Sequence, residues 1–562
     1  MQGWEKNEGL PVHRHQHGKQ GSVFAFRAEL EAWRESRASA PLAAAPLVEG
    51  PAADKPRKAL DAAHDAAITS KLRLWLTAGC VALLAGLSLY LVPKQRVRSS
   101  AQDVPSSIVV LPFVDMSSGK DQEYFSDGLT EEIIDSLSRV PELRVVARTS
   151  AFAYKGKNAD IRKIARQLDV DSVLEGSVRK SGDQLRITAQ LNRASDGFHY
   201  WSQTYDRSWQ DIFAVQREIS QAIASKLQTG SSHIVVPTQR PPTADLEAYR
   251  LYSEARFFFN QFTPNSFRKP IDRYQQAIAR DPGFALAYSG LADSYAYMAE
   301  FSISPPNEVR PKARDAAEKA VALDRGLGEA HTSVGLVKLD YEWDRPAAEK
   351  EFLRAAELNP SSSWPHHWLG HLREAQGRLD EAIAEMRKAM TYDPLSPPLY
   401  WDLASDLVLA RRYDDTAVTV DKGLELCPLE QDLLLGAKMR LAFRQGNQAA
   451  AYGAVATLKK NPEANAGNVT VLALRGIYAA KSGDKAGARR ILNALEQHRQ
   501  KAYTDAVPAV EICSALGDPR CVQLWLQRAY QDHSTVFVYL PLSLADELAK
   551  FPWTRELLVH IR

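Results

Sequence analysis

The sequence has little cysteine and no excess of charge of either sign. Its 562 residues include four cysteines, and 70 basic residues balance 68 acidic ones. So few cysteines exclude a disulfide-rich scaffold, and the sequence has no CxxC motif or Cys/His cluster that indicates structural zinc. The balanced charge excludes a surface that is basic throughout and binds nucleic acid over its whole extent. A chain of this length predicts two to four domains.

Motifs of the common nucleotide-dependent enzymes are also lacking. The sequence has no P-loop, no GxGxxG between a strand and a helix, and no protein-kinase signature. We therefore expect no enzymatic activity, and hence no catalytic residues, no metal site, no cofactor and no small-molecule substrate. One question about the cysteines stays open: Cys513 and Cys521 flank a turn that antiparallel helices would bring together, either as a disulfide or as two free thiols.

One long hydrophobic run is present. Nineteen residues from Leu74 to Val92 carry no charge, and a helix of that length crosses a hydrocarbon core of about 30 Å. The run predicts a transmembrane helix over residues 72–92, too far along the chain for a cleaved signal peptide. Four basic residues precede it and three follow it, which favours a cytoplasmic N-terminus. We expect a single-pass protein of the inner membrane, with residues 105–562 in the periplasm.

Residues 1–37 have the order of a partial winged helix-turn-helix: a helical piece, two short extended segments and a second helix. The motif WEKNEGLPVHRH resembles the recognition helix and wing of excisionase-like or MerR-like DNA-binding domains. That resemblance begins inside the recognition helix, so either a first helix lies upstream or the segment is a remnant. It implies phosphate contacts from the wing, with five candidates: His13, Arg14, His15, Lys19 and Arg27.

Two other interpretations of residues 1–37 remain. His13, His15 and His17 share one face of a strand and would suit a metal ion, although no carboxylate is spaced to join them. The segment is otherwise an exposed polar tail. Residues 38–70 are rich in alanine and proline with almost no large apolar side chain, a composition typical of a linker.

Residues 105–228 follow an α/β pattern. Leu185, Ile187, Ala189 and Leu191 alternate with polar residues, as in a strand that is buried on one face. The motifs VLPFVDMS, YFSDGLTEEI, RTSAFAYKGK, LEGSVRKSGDQLRITAQL and DIFAVQREI closely resemble the TolB-like amino-terminal domain of bacterial membrane regulators. The resemblance implies a noncatalytic binding or sensing domain. Its acidic group Asp127, Glu131 and Glu132 could suggest a metal or acid–base site, but we expect Asp127 or Thr130 to cap a helix and the glutamates to complement its positive end.

Residues 245–562 are helical and periodic. Their second helices are expected to end at Pro282, Arg325, Pro360, Pro394, Pro428 and Pro462, and the last three intervals are each 34 residues. A helix-turn-helix period of 34 residues is that of the tetratricopeptide repeat. The predicted fold class is thus multidomain: a single transmembrane helix, an α/β TolB-like domain, and an all-α tetratricopeptide-repeat solenoid.

The first helices of such repeats line a concave face. We expect Trp364, His367 and His371, three and four residues apart, and Trp401 of the next repeat to line this groove. Aromatic residues with polar neighbours suit an extended peptide or a partner helix. The alternative is that these side chains pack on another domain of the same chain.

Together these features favour a membrane-bound regulator of the one-component kind, with protein or peptide partners on the repeats and DNA as a candidate partner of the N-terminal segment. The first alternative is a pure scaffold for an envelope complex with a vestigial N-terminus. A third function, as accessory subunit of a nucleotide cyclase or kinase, rests on analogy alone.

Overall fold

A computed structural model describes residues 13–17, 20–24, 107–119, 122–227, 241–261, 266–427, 431–458 and 469–534. The chain divides into two units, residues 1–97 and residues 98–562, and each is described by itself.

The predicted fold class and location need correction. Across the described ranges, no helix is both long and apolar enough to cross a membrane. The longest of these helices, Pro306–Leu323, has 18 residues and carries charged side chains throughout, as expected of a helix with one solvent-exposed face. The finding overturns the fold class with a membrane helix, and with it the inner-membrane location and the periplasmic assignment of residues 105–562. Residues 72–92 and the linker at 38–70 lie outside the described residues.

The first unit contains a β-hairpin. Strand β1 (His13–His17) pairs antiparallel with β2 (Gln20–Phe24), and His17 lies opposite Gln20. The two extended segments expected from the sequence are therefore present. Candidate DNA contacts His13, Arg14 and His15 lie on β1, whereas Lys19, Arg27 and the expected flanking helices lie outside the described residues.

The second unit begins with a mixed sheet. Its strands are β3 (Ser107–Val110), β4 (Val114–Asp115), β5 (Arg144–Val145), β6 (Ser172–Ser181), β7 (Gln184–Arg193) and β8 (His199–Ser208). The order is β5-β3-β6-β7-β8, with β4 also beside β6. Strand β3 runs parallel to β5 and β6, and β6, β7 and β8 form an antiparallel meander. The helices are α1 (Glu123–Ser138), α2 (Arg148–Phe152), α3 (Ile161–Leu168) and α4 (Ile212–Lys226).

The hydrophobic pattern explains this sheet. All four residues of β3 are buried, as expected of a strand with neighbours on both sides and helices over the sheet. On β7, Leu185, Ile187, Ala189 and Leu191 are buried, which confirms the predicted alternation. At Gly176 on β6, an added Cβ would come within 2.3 Å of the Phe113 ring, so glycine there lets the aromatic ring lie against the strand.

The rest of the second unit is a series of paired helices. They are α5 (Leu246–Phe259), α6 (Lys269–Arg280), α7 (Ala285–Glu300), α8 (Pro306–Leu323), α9 (Gly328–Asp340), α10 (Arg345–Leu358), α11 (Ser363–Ala375), α12 (Leu379–Tyr392), α13 (Pro397–Leu409), α14 (Tyr413–Leu426), α15 (Gln431–Arg444), α16 (Gln448–Leu458), α17 (Val469–Lys481), α18 (Lys485–Arg499), α19 (Val507–Leu516) and α20 (Pro519–Asp532). Second helices end just before the predicted turns, which confirms a helix-pair solenoid.

Small residues set the spacing within each pair. An added Cβ at Gly370 on α11 would lie 2.8 Å from the Met386 side chain on α12. At Gly335 on α9 it would lie 2.4 Å from the Phe352 ring on α10. Because a side chain at either position would push the partner helix away, the glycines hold the two helices of a repeat in close contact. Near the C-terminus, Cys513 and Cys521 form a disulfide with their Cα atoms 5.5 Å apart.

The α/β domain packs on the turns between repeats. Ser150 at α2 donates both its backbone N–H and its hydroxyl to Asp393 Oδ1, at 3.1 and 2.5 Å, and accepts from the Leu395 N–H at 2.8 Å. One repeat earlier, the Ser361 hydroxyl donates to the Leu143 carbonyl at 2.7 Å. Ser150, Ser361 and Asp393 are buried. These bonds attach the domain to the ends of second helices, whereas Arg139 pairs at 3.4 Å with Glu329 on the first helix α9.

An ion-pair network joins α1 of the α/β domain to α5 of the repeats. Arg256 lies 2.7 Å from Glu131 Oε2 and 3.4 Å from Asp135 Oδ2. Arg148 and Asn260 contact the other oxygen of Glu131. The expectation that this acidic group complements the helix N-terminus was wrong, because α1 begins at Glu123 and Glu131 lies in its middle. Glu131 and Asp135 instead pair with Arg256 across the domain contact, and Asp127 pairs with Lys155.

Candidate functional site

Helices α11 and α13 place a group of histidines and acidic residues side by side. His367 and His371 lie four residues apart on α11, and Asp402 and Asp406 lie four residues apart on α13. That spacing brings each pair to one side of its helix. Both helices are the first helix of their repeat, and we call the surface formed by such helices the first-helix face.

Three of these side chains meet at one point. His367 Nε2 lies 2.8 Å from Asp402 Oδ2 and 3.2 Å from His371 Nε2. His371 Nε2 lies 3.5 Å from the same Asp402 oxygen, and its Nδ1 is 3.4 Å from Glu374. His367 is buried, and the side chains of His371 and Asp402 are about 15% exposed. This arrangement of two imidazole nitrogens and a carboxylate oxygen could hold a metal ion, and we name it the histidine–aspartate cluster.

The pKa values in the cluster are shifted in opposite directions. Burial lowers the pKa of His367 despite its hydrogen bond to Asp402. Burial also disfavours a charge on His371, but the carboxylates of Asp402 and Glu374 outweigh it and raise the pKa of His371 well above its usual value. The same histidines hold the pKa of Asp402 below its usual range although burial opposes ionisation. The two histidines, one helical turn apart, therefore differ in pKa.

Asp406 lies deeper than the other three. It is 1% exposed, and neither of its carboxylate oxygens has a hydrogen-bond partner. Burial first, and then the nearby carboxylates of Glu374 and Asp402, raise the pKa of Asp406 to about 9. Buried polar atoms normally have a partner. A carboxyl group without one, beside three converging ligand atoms, is a candidate for binding a cation.

Aromatic side chains border the cluster on the first-helix face. Trp364 is 37% exposed, and its ring lies 5.8 Å from that of His367 and 6.2 Å from that of Tyr297 on α7. Trp368 is buried and stacks on His367. Of the four predicted groove residues, Trp364, His367 and His371 thus lie together. Trp401 instead packs on the next repeat, beside Ala437 on α15.

The sequence pattern identified half of this site. Two histidines at i and i+4 were visible in the sequence, and the neighbouring His366 faces the second helix, where it contacts Glu385 at 2.7 Å. Asp402, Asp406 and Tyr297 were missed. The signal for the two aspartates was their own i, i+4 spacing one repeat later, which becomes informative only once adjacent first helices are known to touch.

The first domain of the second unit matches a known family. Residues 104–222 match the model described as "HilA/YgeH-like transcriptional regulator, second domain". The TolB-like resemblance remains an expectation from the sequence.

Curated relatives match about half of the chain. It is 37% identical over 276 residues to "Putative adenylate cyclase 3" of Rhizobium meliloti (strain 1021), covering 46% of each protein. It is 22% identical over 303 residues to "Transcriptional regulator HilA" of Salmonella typhimurium, covering 52% of each.

Similar solved structures include PilW, a type IV pilus biogenesis factor, with 21% identity, a TM-score of 0.34, and coverage of 40% of this chain and 98% of that one. YrrB, a tetratricopeptide protein with an unusual peptide-binding site, has 21% identity, a TM-score of 0.24, and coverage of 34% and 91%. The chain spans about half the length of the curated relatives it matches, and its α/β domain is similar to the second domain of HilA-like regulators.

Proposed function

We propose that this chain is a non-enzymatic regulator or scaffold that binds a protein partner through the first-helix face of its repeats. The observation that carries the proposal is Trp364, a large apolar side chain that is 37% exposed beside buried polar groups. Exposed aromatic residues with polar neighbours are typical of surfaces that anchor a peptide. The family match of residues 104–222 supports a regulatory role.

The contacts of the α/β domain with first helices lie in earlier repeats than that of Trp364. Its hydrogen bonds to the repeats lie at the turns around Ser361 and Asp393, and its ion pairs lie at α5 and, between Arg139 and Glu329, at α9. This position supports the interpretation of Trp364, His367 and His371 as a binding surface over the alternative that they pack on the neighbouring domain.

Peptide selection on the purified full chain tests this proposal. Peptides selected from a random library against the wild-type protein should bind the Trp364→Ala variant at least tenfold more weakly, as expected for an aromatic anchor. Tyr452→Ala is the matched control, because Tyr452 is a 56% exposed aromatic residue on the second helix α16. If selected peptides lose affinity for the control but not for Trp364→Ala, the binding surface lies elsewhere.

We also propose that the chain has no catalytic activity of its own. The rhizobial relative carries a cyclase name, but the match covers 46% of that protein. The full chain should form no cyclic nucleotide from ATP with magnesium or manganese, and no phosphate from ATP or GTP. Activity that co-purifies with the chain and disappears on a single substitution would contradict this.

DNA binding by the N-terminal hairpin is a second candidate function. The hairpin of β1 and β2 has the form of a wing, and it carries Arg14. Binding of a labelled duplex at low salt should weaken severalfold in Arg14→Ala/Lys19→Ala, and the dependence on salt should become less steep because fewer counterions are released. Arg444→Ala, far along the chain on α15, is the control. If both variants bind the duplex equally and with the same salt dependence, the hairpin is not the DNA-binding element.

A further inference from the structure

We propose that the histidine–aspartate cluster is a zinc site, in which His367 Nε2, His371 Nε2 and Asp402 Oδ2 bind the metal and the buried carboxyl group of Asp406 lies nearby. The site would join the first helices of two successive repeats, α11 and α13, next to the exposed Trp364. It is a property of the chain separate from partner binding, and either proposal can fail without the other.

The spacing of the three atoms fits a tetrahedral metal. Zinc binds histidine nitrogen at about 2.0–2.1 Å and carboxylate oxygen at about 2.0–2.2 Å, so the ligand atoms of a tetrahedral site lie about 3.3 Å apart. The separations here are 2.8, 3.2 and 3.5 Å. The three atoms already form one face of such a tetrahedron.

The two imidazoles share one acceptor. Both His367 Nε2 and His371 Nε2 lie close to the same Asp402 oxygen, and the two nitrogens lie 3.2 Å from each other. A ring nitrogen carries either a hydrogen or a lone pair. A metal ion would replace the hydrogens on these nitrogens, and all three atoms would then offer a lone pair to the same cation.

Asp406 is the second, independent observation. Its carboxylate oxygens have no hydrogen-bond partner and the residue is 1% exposed. It lies one helical turn from Asp402, on the side of α13 that faces the cluster. A carboxyl group without a partner at this depth is costly to ionise unless a cation is present, and a zinc ion held by its neighbours supplies that charge.

The type of ligand selects the metal. Two imidazoles with carboxylates are typical of zinc and of other divalent transition metals, whereas calcium and magnesium prefer oxygen ligands throughout. Two histidines at i and i+4 on one helix form half of a well-known zinc-binding arrangement. The test therefore uses Zn²⁺, with Co²⁺ as a spectroscopic substitute and Mg²⁺ as a negative control.

The experiment is titration of the chelator-treated full chain with ZnCl2 by calorimetry. We expect one zinc ion per cluster, binding at least tenfold more weakly in His371→Gln and in Asp402→Asn, and unchanged in His199→Gln, which alters an exposed histidine of the α/β domain. Zinc should also raise the melting temperature of the wild type and not of Asp402→Asn.

Two further measurements keep the outcome decisive. Co²⁺ added to the wild-type chain should give visible absorption bands that zinc abolishes, a result that needs no variant to fold. Because His13, His15 and His17 could also hold a metal, the triple variant with glutamine at these positions should retain zinc binding. The proposal is overturned if the wild type binds no zinc, if binding survives in both cluster variants, or if only the hairpin variant loses it.

Discussion

Replacing Arg256 with methionine should lower the free energy of unfolding by about 2–4 kcal/mol. Arg256 lies between Glu131 and Asp135 at the contact of α1 with α5. The side chain of Glu131 is 3% exposed, so its charge would lose a partner in a place that water barely reaches. Removing one partner of a buried ion pair costs more than the pair contributes, because the remaining charge stays desolvated.

The pKa shifts around Arg256 support this estimate. Burial opposes the charge on Glu131, yet Arg256 and Arg148 bring its pKa below the usual value. Burial raises the pKa of Glu132 to about 7 and that of Asp135 to about 6, even with Arg256 present. Without the arginine, these acids would ionise at neutral pH only at a further cost to the folded state. The loss stays below the full cost of an isolated buried charge, since Arg148 and Asn260 still contact Glu131.

Urea denaturation of the full chain measures this effect. Arg250→Met is the matched control: Arg250 lies on the same helix and pairs with Glu247 and Glu254, but these side chains are in contact with water. Its loss should cost less than about 1 kcal/mol. If the two methionine variants unfold at the same urea concentration, the network across the domain contact contributes no special stability.

Replacing Asp393 with alanine should cost about 2–4 kcal/mol and should loosen the α/β domain from the repeats. Asp393 accepts the N–H and the hydroxyl of Ser150, and that hydroxyl in turn accepts the Leu395 N–H. All of these groups are buried. Without the carboxylate, two donors of Ser150 have no acceptor, and each unsatisfied buried group costs about 1–3 kcal/mol.

The repeat supplies a matched control for this change. Asp324 occupies the same place in an earlier repeat, directly after its second helix α8, but it is exposed and bonds only the nearby Gly326 N–H. Asp324→Ala should cost less than about 1 kcal/mol. Ser150→Ala should reproduce part of the effect of Asp393→Ala, and the double variant should show non-additive losses because the two side chains share one bond. Additive losses would mean that the bond does not hold the domains together.

The repeat architecture could be predicted because the same sequence pattern recurs in successive repeats. The second helix of each repeat ends at a turn that recurs at a period of about 34 residues, so the spacing of these turns locates the helix pairs. The strands of the α/β domain were equally visible, since β7 alternates between apolar and polar residues over its length. The periods of helix and strand are local properties, and a local pattern is enough to find them.

What the sequence could not supply was contact between distant segments. Glu131 looked like a residue near a helix end, and only the position of α5 shows that it faces Arg256. Trp401 had the repeat position of a groove residue, but it packs on the neighbouring repeat. Asp402 and Asp406 could be assigned to the site only because the structure shows that α13 lies beside α11. The apolar run at 72–92, which predicted a membrane helix, lies outside the described residues.

The central claim is that a protein partner binds the first-helix face around Trp364. Hydrogen–deuterium exchange of the full chain, with and without a selected peptide, tests it directly. The account predicts slower exchange in α11, residues 363–375, and in α13, residues 397–409, with no change in the second helix α14, residues 413–426. Slower exchange confined to the α/β domain or to second helices such as α14 would contradict it.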